Sequence, residues 1–209
     1  EHHLHAFTSK SLDALLILSI VRIIKTIVAL HTYCIDAETL RLQIANQFAQ
    51  CNWTRPLYVA LTVGEENYMN LGDNFVQEGL VNRITPFTTN KPGAKNFDTE
   101  KAYHNIMTRF KFGNLKQKGL YIDETTMRMC YTHRRLLAQT ALQLIAEGKK
   151  QKAINILKKA DTEIPAYNVT LDYMSGGLDM ARGWLMTGQK AKGKEYIEAV
   201  WKNASQYLN

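Results

Sequence analysis

The sequence predicts an α+β fold that is mostly helical: a small mixed α/β part, followed by tandem helical hairpins stacked as an α-α superhelix. Three observations predict this fold class. Short runs of β-branched and aromatic residues lie between residues 57 and 88. From residue 123 onward the apolar spacing is helical, with few breaks. Within that helical part, one spacing of small and large residues occurs twice.

These patterns divide the chain into three parts. Residues 1–35 form a leader with an apolar helix, residues 36–122 form the mixed α/β part, and residues 123–209 form the helical hairpins. With 209 residues, 45% hydrophobic and 22% charged, the composition is that of a globular protein, which excludes disordered and fibrous classes.

The formal net charge of +7 permits an anionic partner, but the charge is scattered along the sequence. No nucleic-acid-binding motif is present, so no nucleic-acid partner is expected. The densest basic cluster lies on a predicted helix, where we expect a solvent-exposed face. It consists of Lys149, Lys150, Lys152, Lys158 and Lys159.

The most apolar stretch runs from Leu12 to Leu30, and its 19 residues are close to the number that crosses a bilayer. Arg22 and Lys25 interrupt it, and a cation near mid-bilayer costs roughly 2.5–3.5 kcal/mol. We therefore expect an amphipathic helix that is buried or covered by a partner, rather than a membrane span. Contact with a membrane stays open.

The mixed part begins with a predicted helix over residues 37–50, because Asp36 is a good N-cap and apolar residues recur at every fourth position. Residues 57–63 are rich in β-branched and aromatic types and predict a strand that ends at Gly64. A polar turn or a short helix follows over residues 65–72.

The rest of the mixed part predicts a helix over residues 74–82 and a second strand over residues 83–88, which a proline places at a sheet edge. The sheet is then a two-stranded element. Residues 89–98 have the composition of a loop, and Asp98 is the predicted cap of a helix near residues 99–109.

The helical part has the spacing typical of tetratricopeptide pairs, in which small residues let two antiparallel helices approach closely. In the first copy, residues 134–165, the residues with this spacing are Ala141, Leu144, Gly148, Ala153, Leu157, Ala160 and Pro165. The second copy starts at residue 174, 40 residues further along, and its residues with this spacing are Ala181, Trp184, Gly188, Gly193, Ile197 and Val200. Because about three such repeats are needed for stability, we expect the mixed part to cap the stack.

Four short motifs precede or join these repeats in a fixed order: residues 52–60, 78–86, 110–113 and 120–124. Together they resemble the soluble C-terminal region of a Bacteroidota family of multipass membrane proteins, described as protein O-mannosyltransferase-like and of the glycosyltransferase C superfamily type. The resemblance covers roughly residues 50–207. It implies that glycosyl transfer belongs to a membrane-embedded region, and that this part is a domain on the extracytoplasmic side of the cell envelope.

No catalytic constellation is visible, because the phosphate-loop, nucleophile-elbow and dinucleotide motifs are all missing from the sequence. His104 and His133 have no Cys or acidic partner at the spacing of metal ligands. His2, His3 and His5 look like a metal cluster, but at this terminus a tag remnant or a leader is expected instead, so no metal or cofactor is expected. Acidic residues after the first strand could bind sugar, since paired carboxylates carry out glycoside chemistry; a solvated turn is the alternative. These candidates are Glu65, Glu66 and Asp73.

Two further sets of polar residues have structural interpretations. Glu78 is expected to pair with Asn82 or Arg83 on its own helix. An anion site could form from Tyr131, His133, Arg134 and Arg135, but a helix face or a contact between helices is the expected role.

A groove along the first helix of each repeat is the main functional hypothesis. Polar residues at the groove positions of the two copies would bind a peptide or partner: Arg135, Gln139, Asp179 and Arg182. The predicted function is a non-catalytic protein-binding or scaffold domain of a membrane glycosyltransferase-like protein, whose membrane-embedded region is a further partner. The alternatives are an accessory sugar- or acceptor-binding part and an independent peptide-binding adaptor.

Overall fold

The computed structural model describes residues 37–51, 54–68, 70–88 and 96–206, which fall into two compact units that meet in sequence at Arg55 and Pro56. The first unit contains helix α1, Ala37–Gln50, which confirms the predicted helix. The predictions for residues 1–35, for Asp36 as a cap and for the loop at residues 89–95 lie outside the described residues. The predicted part boundaries at residues 35 and 122 stay predictions.

The second unit opens with a four-stranded sheet in the order β1-β3-β2-β4. Antiparallel pairs join β3 to β1 and to β2, and β4 pairs with β2 in parallel. The strands are β1 Tyr58–Ala60, β2 Phe75–Gln77, β3 Val81–Ile84 and β4 Asn96–Phe97. Two 3-10 turns, Glu65–Asn67 and Gly72–Asn74, lie between β1 and β2.

The helix predicted over residues 74–82 is wrong, because this segment forms the β2–β3 hairpin. Phe75 and Gln77 are buried on one side of β2 while Val76 is half-buried, so the period is two rather than 3.6. Gly79 has φ of +120°, which breaks a helix and permits the turn. The two-stranded element is thereby corrected to four strands, and the first strand ends at Ala60 rather than at Gly64. The strand predicted over residues 83–88 is β3, Val81–Ile84, and it lies inside the sheet rather than at its edge. Residues 96–97, predicted as part of a loop, form β4.

Five helices follow, and they make the fold mostly helical: α2 Thr99–Thr108, α3 Glu124–Ala146, α4 Lys150–Glu163, α5 Gly177–Met186 and α6 Lys190–Ser205. The cap predicted at Asp98 is confirmed, because its carboxylate accepts a hydrogen bond from Lys101 N at 3.0 Å. Asp123 caps α3 in the same way. Within the described residues, no helix is long and apolar enough to cross a bilayer.

The α3–α4 and α5–α6 hairpins turn in the same way. Gly148 and Gly188 are both left-handed, with φ of +78° and +89°. Each donates its N–H to the carbonyl three residues back, that of Ile145 or Leu185, at 2.9 and 3.0 Å. The two turns are 40 residues apart, the same offset as the repeated sequence spacing.

Helix α2 runs alongside α4, and lysines of the basic cluster hold it there. Near the start of α2, Lys152 Nζ lies 2.6 Å from Glu100 Oε2. Near its end, Lys159 Nζ donates to the carbonyls of Ile106 and Met107 at 2.7 and 3.0 Å.

The basic cluster is therefore not simply a solvent-exposed face. Lys149 and Lys152 both hydrogen-bond Glu100 and lower the pKa of that carboxyl to about 2. Lys150 and Lys158 are exposed, as expected. The ammonium groups of the cluster mainly hold α2 against α4, so fewer of them are available to bind an anionic partner.

Arg134 is almost completely buried, with 1% of its surface exposed. Its guanidinium donates to three backbone carbonyls in the connection between the hairpins: Thr170 at 2.9 Å, Ile164 at 3.1 Å and Val169 at 2.6 Å. Burial lowers the pKa of Arg134 from its usual value. Arg134 therefore has a structural role, but its partners are backbone carbonyls of the connecting segment rather than the second helix that was expected.

Candidate functional site

A cavity of about 540 Å³ lies between the sheet and helix α3, and we call it the α3–sheet groove. Its lining combines five polar side chains with three apolar ones: Gln77, Thr132, Arg135, Gln139 and Gln143, with Leu61, Phe97 and Leu136.

Helix α3 supplies one wall of the groove through a single row of side chains. Thr132, Arg135, Gln139 and Gln143 follow one another at intervals of three or four residues, which places them on one helical face. The other face of α3 is buried in the core. Arg135, Gln139 and Gln143 are exposed, and Arg135 Nη2 donates to the Thr132 hydroxyl at 3.5 Å.

The sheet supplies the other wall. Gln77 of β2 is buried, with 6% of its surface exposed, and its side-chain amide donates to the carbonyl of Gly79 at 3.3 Å. Phe97 of the adjacent β4 and Leu61, just after β1, add apolar surface. Leu136 is 2% exposed and forms an apolar floor on the α3 side.

The polar groups of the groove suit an extended peptide. Glutamine amides offer both donors and acceptors, which matches the alternating N–H and C=O groups of a backbone. Arg135 adds a guanidinium that can bind a carboxylate through two parallel hydrogen bonds. None of the described residues that line the groove is an Asp or a Glu.

The structure brings together two of the four residues predicted to bind a partner, because Arg135 and Gln139 line the same groove. Asp179 and Arg182 lie on α5 and do not line it. The sequence reasoning missed Thr132 and Gln143, although both continue the row of Arg135 and Gln139 by helical spacing. It also missed the sheet side of the groove: Gln77 lies in the segment that the sequence predicts as a helix, Phe97 in the predicted loop, and Leu61 in a predicted strand without a binding role.

The predicted sugar-binding residues lie in the two 3-10 turns. Glu65 and Glu66 share the first turn and Asp73 lies in the second, and all three are exposed. The Glu66 carboxylate accepts a hydrogen bond from the side-chain amide of Asn67 at 3.1 Å. None of the three lines the α3–sheet groove.

Glu78 has a structural role in the β2–β3 hairpin. It pairs with Arg83 as predicted, but across a hairpin rather than along a helix. Its carboxylate is 4% exposed, accepts from Arg83 Nε and lies 3.0 Å from Lys101 Nζ of α2. Its carbonyl accepts from the Asn105 side chain at 3.1 Å, so Glu78 joins the sheet to α2.

We expect Glu78→Gln to destabilise the protein by about 1.5–3 kcal/mol, because a buried carboxylate loses two charged partners. Urea denaturation measures the change in the free energy of unfolding. The matched control is Glu124→Gln, which removes a carboxylate 80% exposed and paired with an exposed Arg128. That substitution should cost less than about 0.5 kcal/mol. Equal costs for the two variants would contradict the role of Glu78.

A second, mostly apolar cavity of about 360 Å³ lies between residues 111–123 and the first turns of α3. His133 lines it, and its Nδ1 lies 2.8 Å from the carbonyl of Met129, so that nitrogen carries the proton and donates. Burial raises the pKa of the Cys130 thiol, so this thiol is a poor nucleophile. Within the described ranges, no cluster of three His, Cys, Asp or Glu residues could hold a metal ion.

Comparison with known proteins links part of the chain to a membrane protein. The sequence model of a family described as TMEM260-associated domain 2 matches residues 22–101, which include all four strands and the start of α2. TMEM260 is a membrane protein described as O-mannosyltransferase-like. No curated protein and no solved structure matches the chain. The match agrees with the expected relation to a membrane-protein family of this kind.

Proposed function

We propose that this chain is a non-catalytic protein-binding domain, and that the α3–sheet groove holds an extended peptide segment of its partner. The observation that carries the proposal is the row of Arg135, Gln139 and Gln143 facing Gln77 across an open groove with an apolar floor. Such a lining favours recognition of a backbone and of a carboxylate over acid–base chemistry. In this proposal Asp179 and Arg182 extend the same binding face along α5.

We further propose that the two hairpins are tetratricopeptide-like repeats. The shared turn geometry and the 40-residue offset support this, as do the small buried residues Ala141 and Ala181 at matching positions. Helix α2 runs alongside α4, as the second helix of a preceding repeat would, and so caps the stack. In that arrangement the sheet takes the place of the missing first helix and forms the second wall of the groove.

The family match and the resemblance support a membrane glycosyltransferase-like parent, with this domain on the extracytoplasmic side of the cell envelope. The bound segment would then belong to an acceptor protein or to another subunit of the same complex. O-linked transfer uses Ser or Thr hydroxyls, so a Ser/Thr-rich extended peptide is the natural first probe.

The test compares two labelled peptides that share one Ser/Thr-rich sequence, one ending in a free carboxylate and the other amidated. Fluorescence anisotropy measures their dissociation constants. We expect the free-carboxylate peptide to bind more tightly. The double variant Arg135→Ala with Gln139→Ala should weaken that binding at least about tenfold, a loss of about 1.4 kcal/mol.

The matched control is Lys158→Ala, which removes an exposed cation from α4, outside the groove. It should leave both affinities unchanged. The proposal fails if the double variant binds as wild type does. A mannose oligosaccharide that binds and loses affinity in Glu65→Gln with Glu66→Gln, while no peptide binds, would instead support the accessory sugar-binding function.

A further inference from the structure

The outer surface of the α5–α6 hairpin carries large exposed apolar side chains in two rows, which we call the terminal apolar face. The rows are Leu178 and Leu185 on α5, and Ile197 and Trp201 on α6, with between 42% and 67% of each residue exposed. Spacings of seven and four residues place each pair on one side of its helix. Single exposed apolar residues are ordinary on a protein surface, but such aligned rows mark an interaction site.

The matching residues of the first hairpin show what covers such a face. Counting back 40 residues from the four gives Ala138, Ile145, Leu157 and Asp161. The first three are buried.

The second hairpin packs on the first, and α5 contacts both α3 and α4. An added Cβ on Gly183 of α5 would lie 3.1 Å from the Leu157 side chain, so the two helices are in close contact. Asp161 accepts a hydrogen bond from the Tyr196 hydroxyl of α6 at 2.8 Å. In this chain, therefore, a helical pair covers the face that one hairpin presents to the next.

The α5–α6 hairpin does not have the polar outer surface of a capping repeat. Stacked repeats need a terminal unit with a polar outer face to stay soluble. Here the positions that would be polar are leucine, isoleucine and tryptophan. The most exposed of them, Trp201, stands where the preceding hairpin has the charged residue Asp161.

The charges around the terminal apolar face are mixed, with a small positive excess. Arg182 lies between Leu178 and Leu185 on α5, while Lys194 and Lys202 flank the row on α6. Against these three basic residues stand Asp179, beside Arg182, and Glu198, which is 3.5 Å from Lys194. Acidic side chains on the flanks of an incoming helix would complement this rim.

We propose that the terminal apolar face docks an amphipathic helix with acidic flanks, supplied by a partner protein. The helix packs across α5 and α6 as the second hairpin packs on the first, with Trp201 as the central contact. This surface shares no residue with the lining of the α3–sheet groove, although Arg182 belongs both to its rim and to the α5 part of the proposed peptide-binding face. Its occupant is a helix rather than an extended peptide.

The test uses two labelled designed helical peptides of about 16 residues, roughly four turns. Both have the same Leu/Ala seam, but one has Glu on its flanks and the other has Lys. Anisotropy measures binding, and a blue shift of tryptophan emission that is lost in Trp201→Glu reports that this residue is covered. The variants are Trp201→Glu and Ile197→Glu. The matched control is Phe87→Glu, which changes an equally exposed aromatic residue just after β3. Circular dichroism checks that each variant is folded.

We expect the Glu-flanked peptide to bind at least tenfold more tightly than the Lys-flanked one. This difference in affinity should decrease at high salt. Both face variants should lose at least tenfold in affinity, and Phe87→Glu should lose nothing. Equal affinity for the two peptides, or binding to neither, overturns the proposal. A wild-type dimer that light scattering detects and that Trp201→Glu dissolves also overturns it, since the occupant is then a second copy of this chain.

Discussion

Replacing Arg134 with methionine is expected to destabilise the protein by about 3–5 kcal/mol, close to the cost of breaking a buried ionic contact. The guanidinium donates to three carbonyls of the segment that joins the two hairpins. Methionine fills similar volume but donates nothing, and each buried carbonyl left without a donor costs about 1–3 kcal/mol. The total destabilisation should stay below the summed costs of the three unpaired carbonyls, because a loosened connection would let water hydrogen-bond them.

The neighbouring Arg135 provides a matched control for Arg134. Arg135 is exposed, and Arg135→Met should change the free energy of unfolding by about 0.5 kcal/mol or less. Urea denaturation followed by circular dichroism measures both variants. If Arg134→Met is too unstable to purify, Arg134→Lys retains a cation with a single donor group and should have intermediate stability. Equal stability of the Arg134 and Arg135 methionine variants would contradict this account of the connection.

Gly176→Ala is the second substitution with a large expected effect. Gly176 caps α5 with φ of +79°, which L residues adopt at a cost of roughly 1–2 kcal/mol. An added Cβ would also lie 2.9 Å from the backbone N of Arg135 and 3.0 Å from its Cα. Backbone atoms of α3 cannot move aside as a side-chain end can, and overpacking of this kind costs about 1–3 kcal/mol more. The expected total is about 2–5 kcal/mol.

The control for Gly176→Ala separates backbone strain from the clash with α3. Gly188 has φ of +89°, and an added Cβ there meets nothing within 4 Å. Gly188→Ala should therefore show only the strain, about 1–2 kcal/mol. Thermal and urea unfolding of both variants give the difference. The packing argument fails if Gly188→Ala is as destabilising as Gly176→Ala.

The helices were the most predictable part of the fold, because their signals are local. Asp98 caps α2 as its position before an amphipathic run predicted, and Gly148 and Gly188 end α3 and α5 where the apolar period breaks. The β2–β3 hairpin was missed because its strands have only three and four residues, too few to show a period. Gly79, within the predicted helix, was the signal for a turn there.

The candidate site was predictable on its helical side only. Arg135 and Gln139 follow from the repeat spacing, which places both on the outward face of α3. Gln77 and Phe97 could not be placed, since their strands are joined by tertiary pairing that leaves no local pattern. Arg134 posed the same problem, because its partners are carbonyls, which every residue has and no sequence pattern marks.

The most direct test of the peptide-binding claim is an NMR titration of the ¹⁵N-labelled protein with the free-carboxylate peptide. The account predicts shifts of amide signals concentrated around the α3–sheet groove, at Leu61, Gln77, Phe97, Arg135 and Gln139. The same titration of Arg135→Ala with Gln139→Ala should leave these signals in place. Shifts that spare the groove and gather at the 3-10 turns or on the far side of α4 would contradict the account.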